Sequence, residues 1–130
     1  MSENIKCAVI GAGLMGSGYV EIISKLRDTK LVGIADPKIE VRNEVKKNYG
    51  VNIYSTFEEL LKKEELDAVV ISCPDEYHAA AAVMALEQNI HVHLEKPVAS
   101  TIVDCNRILT ASIKSKAKIN IGACPRTQIK

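Results

Sequence analysis

The sequence predicts an α/β fold: one domain built as a doubly wound parallel sheet in three layers, with helices on both faces. Three observations predict it. Short runs rich in β-branched residues alternate with helical patterns along the chain, the signature of repeated βαβ units. A glycine-rich turn, Gly11-Ala12-Gly13-Leu14-Met15-Gly16, stands between the first such run and the first helical pattern. At 130 residues, 47% hydrophobic and 25% charged, the chain has the size and composition of a single globular domain.

The elements follow in order. A first strand is expected over Lys6 to Ile10, and a helix over Leu14 to Leu26, where Met15, Tyr19, Ile22 and Leu26 fall on one stripe expected to face inward. Leu31 to Ala35 reads as the second strand, Ile39 to Tyr49 as the second helix and Asn52 to Tyr54 as a short third strand. Ser55-Thr56-Phe57-Glu58 has capping-box spacing, so a helix should open there and carry Leu60 and Leu61 into the core. Ala68 to Ser72 is the fourth strand, and Asp75 is expected to cap the next helix, in which the small side chains Ala79 to Ala82 allow close packing on a sheet. Asn89 follows that helix and tolerates the left-handed conformation common just past a helix end. The fifth strand is expected over His91 to Leu94. A last helix runs from about Thr101 to Ile113 with Ile102, Leu109 and Ile113 inward, and a sixth strand covers Lys118 to Gly122. The expected strand order is 3-2-1-4-5-6.

Charge and hydropathy exclude several classes. Seventeen Lys and Arg against sixteen Asp and Glu leave no field to hold a polyanion, so neither nucleic acid nor an anionic membrane surface is an expected partner. No apolar run approaches the roughly 18 residues of a bilayer span, and the start Met-Ser-Glu-Asn lacks a signal-peptide pattern. Cys7, Cys73, Cys105 and Cys124 show no CxxC spacing, which suits buried thiols in the cytoplasm and not a disulfide frame or a zinc site.

The glycine turn carries the first chemistry. Placed between strand and helix, a GxGxxG sequence uses its first glycine for a tight turn, its second to admit a pyrophosphate to the backbone and its third for close helix packing. The helix N-terminus adds unpaired amides and partial positive charge, so Gly11, Ala12, Gly13, Leu14 and Met15 are expected around a dinucleotide pyrophosphate. A ligand-free structural turn is the alternative. Asp36 lies twenty positions after Gly16 at the end of the second strand, where a carboxylate can accept hydrogen bonds from the adenosine ribose hydroxyls. It would repel a 2′-phosphate, which favours NAD, while Lys38 leaves NADP possible.

The second half carries a family resemblance. The stretches Tyr49-Gly50-Val51, Phe57-Glu58-Glu59-Leu60-Leu61 and Asp67-Ala68-Val69-Val70-Ile71, the motif Cys73-Pro74-Asp75-Glu76-Tyr77-His78 and the tripeptide Glu95-Lys96-Pro97 resemble the Gfo/Idh/MocA family, which includes glucose-fructose oxidoreductase and inositol dehydrogenase. The family writes the second motif Thr-Pro-Asn-x-x-His, so Cys73 and Asp75 depart from it. The resemblance implies a Rossmann fold. It also implies that Ser72, Cys73 and Pro74 pass the cofactor, that His78 supports their loop, and that Glu95 and Lys96 stand at the nicotinamide end. Lys96 would face the substrate as the catalytic residue, its ammonium orienting a hydroxyl and stabilising developing alkoxide. Its alternative is a surface lysine, and Glu95 could be only its charge partner.

His91 and His93 point to one face of their strand, and structural roles are expected for both, since nothing in sequence completes a tetrahedral metal set. Ile121-Gly122-Ala123-Cys124-Pro125-Arg126-Thr127 stands where the family reads Gly-Phe-Asn-Arg-Arg-Phe, and only Gly122 and Arg126 match. Residues 1–122 are therefore expected to form the dinucleotide-binding domain, and 123–130 to begin a connection to a substrate domain. In the family that domain supplies an Asp-x-x-x-His pair for proton transfer, so this chain by itself is expected to lack a complete active site.

The implied activity is hydride transfer between nicotinamide and a hydroxyl or carbonyl carbon of a sugar, inositol or related polyol. The alternative is a stand-alone NAD-binding or regulatory module without turnover. Apolar surface around Ile119, Ile121 and the segment after Gly122 is expected to drive homo-oligomer formation.

Overall fold

The computed structural model describes residues 4–122. In chain order the elements are β1 (Ile5–Ile10), α1 (Leu14–Lys25), β2 (Thr29–Ala35), α2 (Ile39–Tyr49), β3 (Asn52–Tyr54), α3 (Phe57–Lys63) and β4 (Ala68–Ile71). A 3-10 turn (Asp75–Tyr77) then runs into α4 (His78–Glu87), followed by β5 (His91–Leu94), α5 (Ile102–Lys114) and β6 (Ile119–Ile121). The strands form one sheet in the order β3-β2-β1-β4-β5-β6, every pairing parallel. This is the doubly wound order expected from the alternation of elements.

Side-chain alternation along β1 divides the interior into two cores. Ala8 and Ile10 point to one face, where they meet Leu60 and Leu61 of α3, Ala79, Ala82 and Leu86 of α4, and Ile108 of α5. Cys7 and Val9 point to the other, against Val20 and Ile23 of α1 and Val45 of α2. Burial of β1 on both faces explains its continuous apolar run. Chain crossovers to opposite faces leave a crevice at the carboxyl ends of β1 and β4, where ligands of open sheets bind.

The helices meet the sheet through different stripes from those expected. On α1, Met15 is 61% and Ile22 56% exposed and Leu26 is also exposed, while the buried row is Gly16, Val20 and Ile23. On α5, Ile102 (80%), Ile113 (75%) and Leu109 face outward, and Ile108 is the buried residue, flanked by half-buried Cys105 and Ala111. The reason is common to both. Small residues set the contact face because they let the helix approach closely, and a stripe chosen by apolar bulk then falls on the wrong side.

Two caps also move. Thr56, not Ser55, is the N-cap of α3; its hydroxyl accepts from the Glu59 amide at 3.2 Å, and the Ser55 hydroxyl donates to the Glu59 side chain. Asp75 caps no helix: it opens the 3-10 turn, and its carboxylate accepts from the Ser100 hydroxyl at 3.4 Å. Thr101 caps α5, accepting from the Asp104 amide at 3.1 Å, and Asn89 takes φ 60° after α4. The motif around Cys124, Pro125 and Arg126, and the connection expected over 123–130, lie outside the described residues.

Candidate cofactor site

The glycine turn leaves β1 through Gly11, whose amide donates to the Ala35 carbonyl at 2.7 Å and whose φ is +86°. A Cβ there would stand 2.6 Å from the Cys73 backbone nitrogen, so both conformation and space demand glycine. Gly16 is as constrained: a Cβ would sit 1.7 Å from the Gly11 carbonyl oxygen. Gly13 differs. It is the N-cap of α1, and a Cβ added to it meets nothing within 4 Å.

Protein packing thus accounts for the first and third glycines but not the second. A side chain at position 13 would fill open space at the helix start, which is the fit expected of a cradle whose neighbour is a ligand. The first amides of α1, at Leu14, Met15 and Gly16, have no partner within the helix, as in any helix start, and no side chain caps them. Gly13 and Ala12 also border a depression of about 290 Å³ that runs between α1 and α2 past Ser17 and Val45.

Asp36 lies beside this loop and is buried, 7% exposed. Its Oδ2 accepts from the Ala12 amide at 3.0 Å and its Oδ1 from the Lys38 amide at 2.9 Å. Each oxygen keeps a further lone pair, the capacity needed to accept from two adjacent hydroxyls. Arg42 of α2 does not pair with this carboxylate; it donates to the backbone carbonyls of Asp36 (2.9 Å) and Pro37 (3.0 Å), bracing the turn.

On the other side of the crevice, the Ser72 hydroxyl donates to the Gly11 carbonyl at 2.6 Å, tying the end of β4 to the glycine turn. Burial, with a smaller contribution from the Asp36 carboxylate, pushes the Cys73 thiol up to about 11, so it is protonated and unreactive at neutral pH. Pro74 leads into the 3-10 turn. His78, only 2% exposed, faces the Cys73 carbonyl with Nε2 and the Pro97 carbonyl with Nδ1, both at 2.8 Å. It therefore clasps the loop after β4 to the loop after β5. Carbonyls only accept, so a neutral ring donates to one of them at a time.

Glu95 and Lys96 follow β5, with the Glu95 amide held by the Ile71 carbonyl at 3.0 Å and the Lys96-Pro97 peptide bond cis. Lys96 is exposed. Among the described residues no ion pair joins it to Glu95, so Glu95 is not simply its charge partner. Glu95 turns towards α1 instead, where it accepts from the Tyr19 hydroxyl, with the His93 ring 3.5 Å away. The two strand histidines are engaged by β6 and the residue before it: His91 Nδ1 accepts from the Lys118 amide at 3.0 Å, and His93 Nδ1 lies 3.0 Å from Asn120 Nδ2.

The contact between Tyr19 and Glu95 was not expected from sequence, which assigned Tyr19 to an apolar stripe. The available signal was a phenol in that stripe, one turn beyond Gly16: a polar tip at such a position requires a partner.

The sheet order, the glycine turn at its central crossover and the acid after β2 define an NAD-binding Rossmann domain. The chain belongs to the Gfo/Idh/MocA oxidoreductase family, whose NAD-binding Rossmann part it matches over residues 5–123. It is 28% identical over 122 residues to the inositol 2-dehydrogenase of Salmonella typhimurium, covering 91% of this chain and 36% of that protein. A 4-carboxy-2-hydroxymuconate-6-semialdehyde dehydrogenase from Sphingobium is likewise 28% identical, over 91% of this chain and 38% of its own length. Among solved structures, scyllo-inositol dehydrogenase from Lactobacillus casei with NAD(H) and scyllo-inositol superposes with a TM-score of 0.88 at 24% identity, covering 92% of this chain and 36% of that one. An NAD-binding protein from Listeria innocua reaches 0.79 at 31% identity, over 92% of this chain and 35% of that one. The chain thus spans a little over a third of the length of the dehydrogenases it matches.

Proposed function

We propose that this chain holds NAD across the carboxyl ends of β1, β2 and β4, as the nucleotide-binding part of a dehydrogenase acting on a hydroxyl or carbonyl carbon of a sugar, inositol or related polyol. The observation that carries the reading is the open space at Gly13 next to the carboxylate of Asp36. In this reading the backbone of Gly11, Ala12, Gly13, Leu14 and Met15 surrounds the pyrophosphate. The amides at the start of α1 supply the positive field. Asp36 accepts from the adenosine ribose, and Ser72, Cys73 and Pro74 line the opposite wall, kept in place by His78.

Bound nicotinamide supplies a carbon that takes up or gives back hydride. Glu95 contacts the ribose next to it. Lys96, exposed at the same end, orients the substrate hydroxyl and stabilises the charge that develops on its oxygen. Residues 1–122 form the nucleotide-binding domain, and 123–130 lead towards the part that shapes the substrate pocket. The inositol 2-dehydrogenase matched above supports a polyol substrate.

The buried or half-buried free thiols Cys7, Cys73 and Cys105 suit the reducing cytoplasm. No helix among the described residues is long and apolar enough to cross a membrane. Exposed apolar side chains on α1 and α5 support self-association, with a second copy of the chain as the partner.

Calorimetric titration tests the cofactor reading. NAD is expected to bind more tightly than NADP, and Gly13→Val to abolish both while the far-UV circular dichroism stays unchanged, because the new side chain enters ligand space and not protein. Undiminished NAD binding by Gly13→Val overturns it.

A further inference from the structure

At the carboxyl end of β5 the structure contains a polar network of which the cofactor reading uses only Glu95. Four side chains, from α1, β5, β6 and the loop after β5, converge there. Asn120 of β6 lies 3.0 Å from His93 Nδ1; His93 Nε2 lies 3.1 Å from the Tyr19 hydroxyl; and Tyr19 donates to Glu95 Oε2. The rings of Tyr19 and His93 are 5.4 Å apart, centroid to centroid.

The hydrogen bonds run in one direction. The Asn120 amide nitrogen can only donate, so Nδ1 accepts and the ring carries its proton on Nε2. That proton goes to the Tyr19 oxygen, and the phenol's own proton goes to the Glu95 carboxylate. Charge-assisted bonds at the end of such a chain are the strong ones. Burial holds His93 below its ordinary pKa even with a carboxylate 3.5 Å away, which keeps the ring in the neutral form that this direction requires.

Space around the Glu95 head is tightly defined. A Cβ on Gly122 would stand 2.8 Å from Glu95 Oε2 and 3.3 Å from His93 Nε2, so the glycine after β6 leaves room for the carboxylate and no more. Among the described residues no Lys or Arg pairs with Glu95, and its side-chain neighbours are the Tyr19 hydroxyl and the His93 ring, 3.5 Å away. Tyr19 from α1, His93 from β5 and Asn120 from β6 therefore decide where this carboxylate sits. A network serving stability alone has no need to end on a carboxylate next to Lys96, at the sheet edge where the crevice opens.

We propose that Tyr19 and His93 are positioning residues: they fix the Glu95 carboxylate for the nicotinamide-ribose half of the dinucleotide, and have no part in holding the adenosine half. The proposal rests on the cofactor reading above. Glu95 makes the ligand contact, and the phenol and imidazole act only through it.

ADP separates the two halves, since it carries adenosine and pyrophosphate but not the second ribose. NAD and ADP are titrated calorimetrically against the unmutated chain, Tyr19→Phe, His93→Leu and His93→Gln. The unmutated chain should prefer NAD. Tyr19→Phe should weaken NAD about tenfold, the loss of one hydrogen bond to a charged group, and change ADP by less than about twofold. His93→Leu should behave the same way, and His93→Gln, which keeps an N–H donor, should recover NAD affinity to within about threefold. An equal fall for NAD and ADP, or unchanged NAD binding in Tyr19→Phe, overturns the proposal, as does equal affinity for the two ligands in the unmutated chain. These outcomes leave the glycine-loop reading standing. An unmutated chain that binds neither ligand overturns that reading and the proposal with it.

Discussion

Asp36 is a structural acceptor and, in the proposed reading, a ligand group as well, and its substitution separates these roles. Asp36→Ala leaves the buried Ala12 amide without its acceptor, so a stability loss of about 1–3 kcal/mol is expected in chemical denaturation. The same change removes the charge that repels a 2′-phosphate, so the ratio of NAD to NADP affinity should fall towards or below one. A ratio that stays put while stability falls would leave Asp36 a purely structural acceptor. His93 gives a pH dependence. Its folded-state pKa lies below the 6.5 of the free side chain, so as pH falls the unfolded chain takes up the proton first. This contribution is complete above 6.5 and is lost as pH drops through that value towards the lower folded one. Urea denaturation at about pH 7.5 and about pH 5.5 should show a decline that is smaller in His93→Leu.

At the scale of the element, helix orientation follows close contact and not apolar bulk. On α1, Ile22 and Ile23 are neighbours in sequence with opposite surroundings, one exposed and one packed with Val20 against β1 and β2. Ile22→Ser should change stability by less than about 0.5 kcal/mol, as surface substitutions do. Ile23→Ala should cost about 2–5 kcal/mol through the lost contacts and the cavity left behind. Reversed magnitudes in thermal denaturation would restore the stripe of Met15, Tyr19, Ile22 and Leu26 as the inner face. The glycine turn belongs to this scale too, because Gly16 packs against the Gly11 carbonyl and so sets how deep α1 sits on the sheet.

Across the whole molecule, the exposed apolar side chains are distributed unevenly. Among the described residues they gather on the outer face of α5, at Ile102, Val103, Leu109 and Ile113, more than at Ile121 on β6; the segment after Gly122, also expected from sequence, lies outside the described residues. A second copy seated on α5 should make the sedimentation coefficient rise with concentration, and Leu109→Lys with Ile113→Lys should suppress that rise. A coefficient that is flat up to millimolar concentration counts against self-association. Because Lys96 and the cofactor crevice lie at the carboxyl edge of the sheet, contact through the outside of α5 should leave NAD affinity independent of protein concentration.

The element types, their order, the parallel topology, the glycine turn and Asp36 were all legible in the sequence. Each is written in local signals: hydrophobic period, turn residues and short fixed spacings. Legible as well, through family resemblance, were the positions of His78, Glu95 and Lys96, but not their partners. The inward stripes of α1 and α5 were misread, since one turn of helix offers an apolar row on either side and the close approach of Gly16, or of Cys105 and Ala111, chooses between them. The clasp of His78 on the carbonyls of Cys73 and Pro97, and the convergence of Tyr19, His93, Asn120 and Glu95, were decided by the tertiary structure alone. Those contacts join residues that meet only after the parallel crossovers have stacked β1, β4, β5 and β6 side by side, and no local period records which side chains will then face one another.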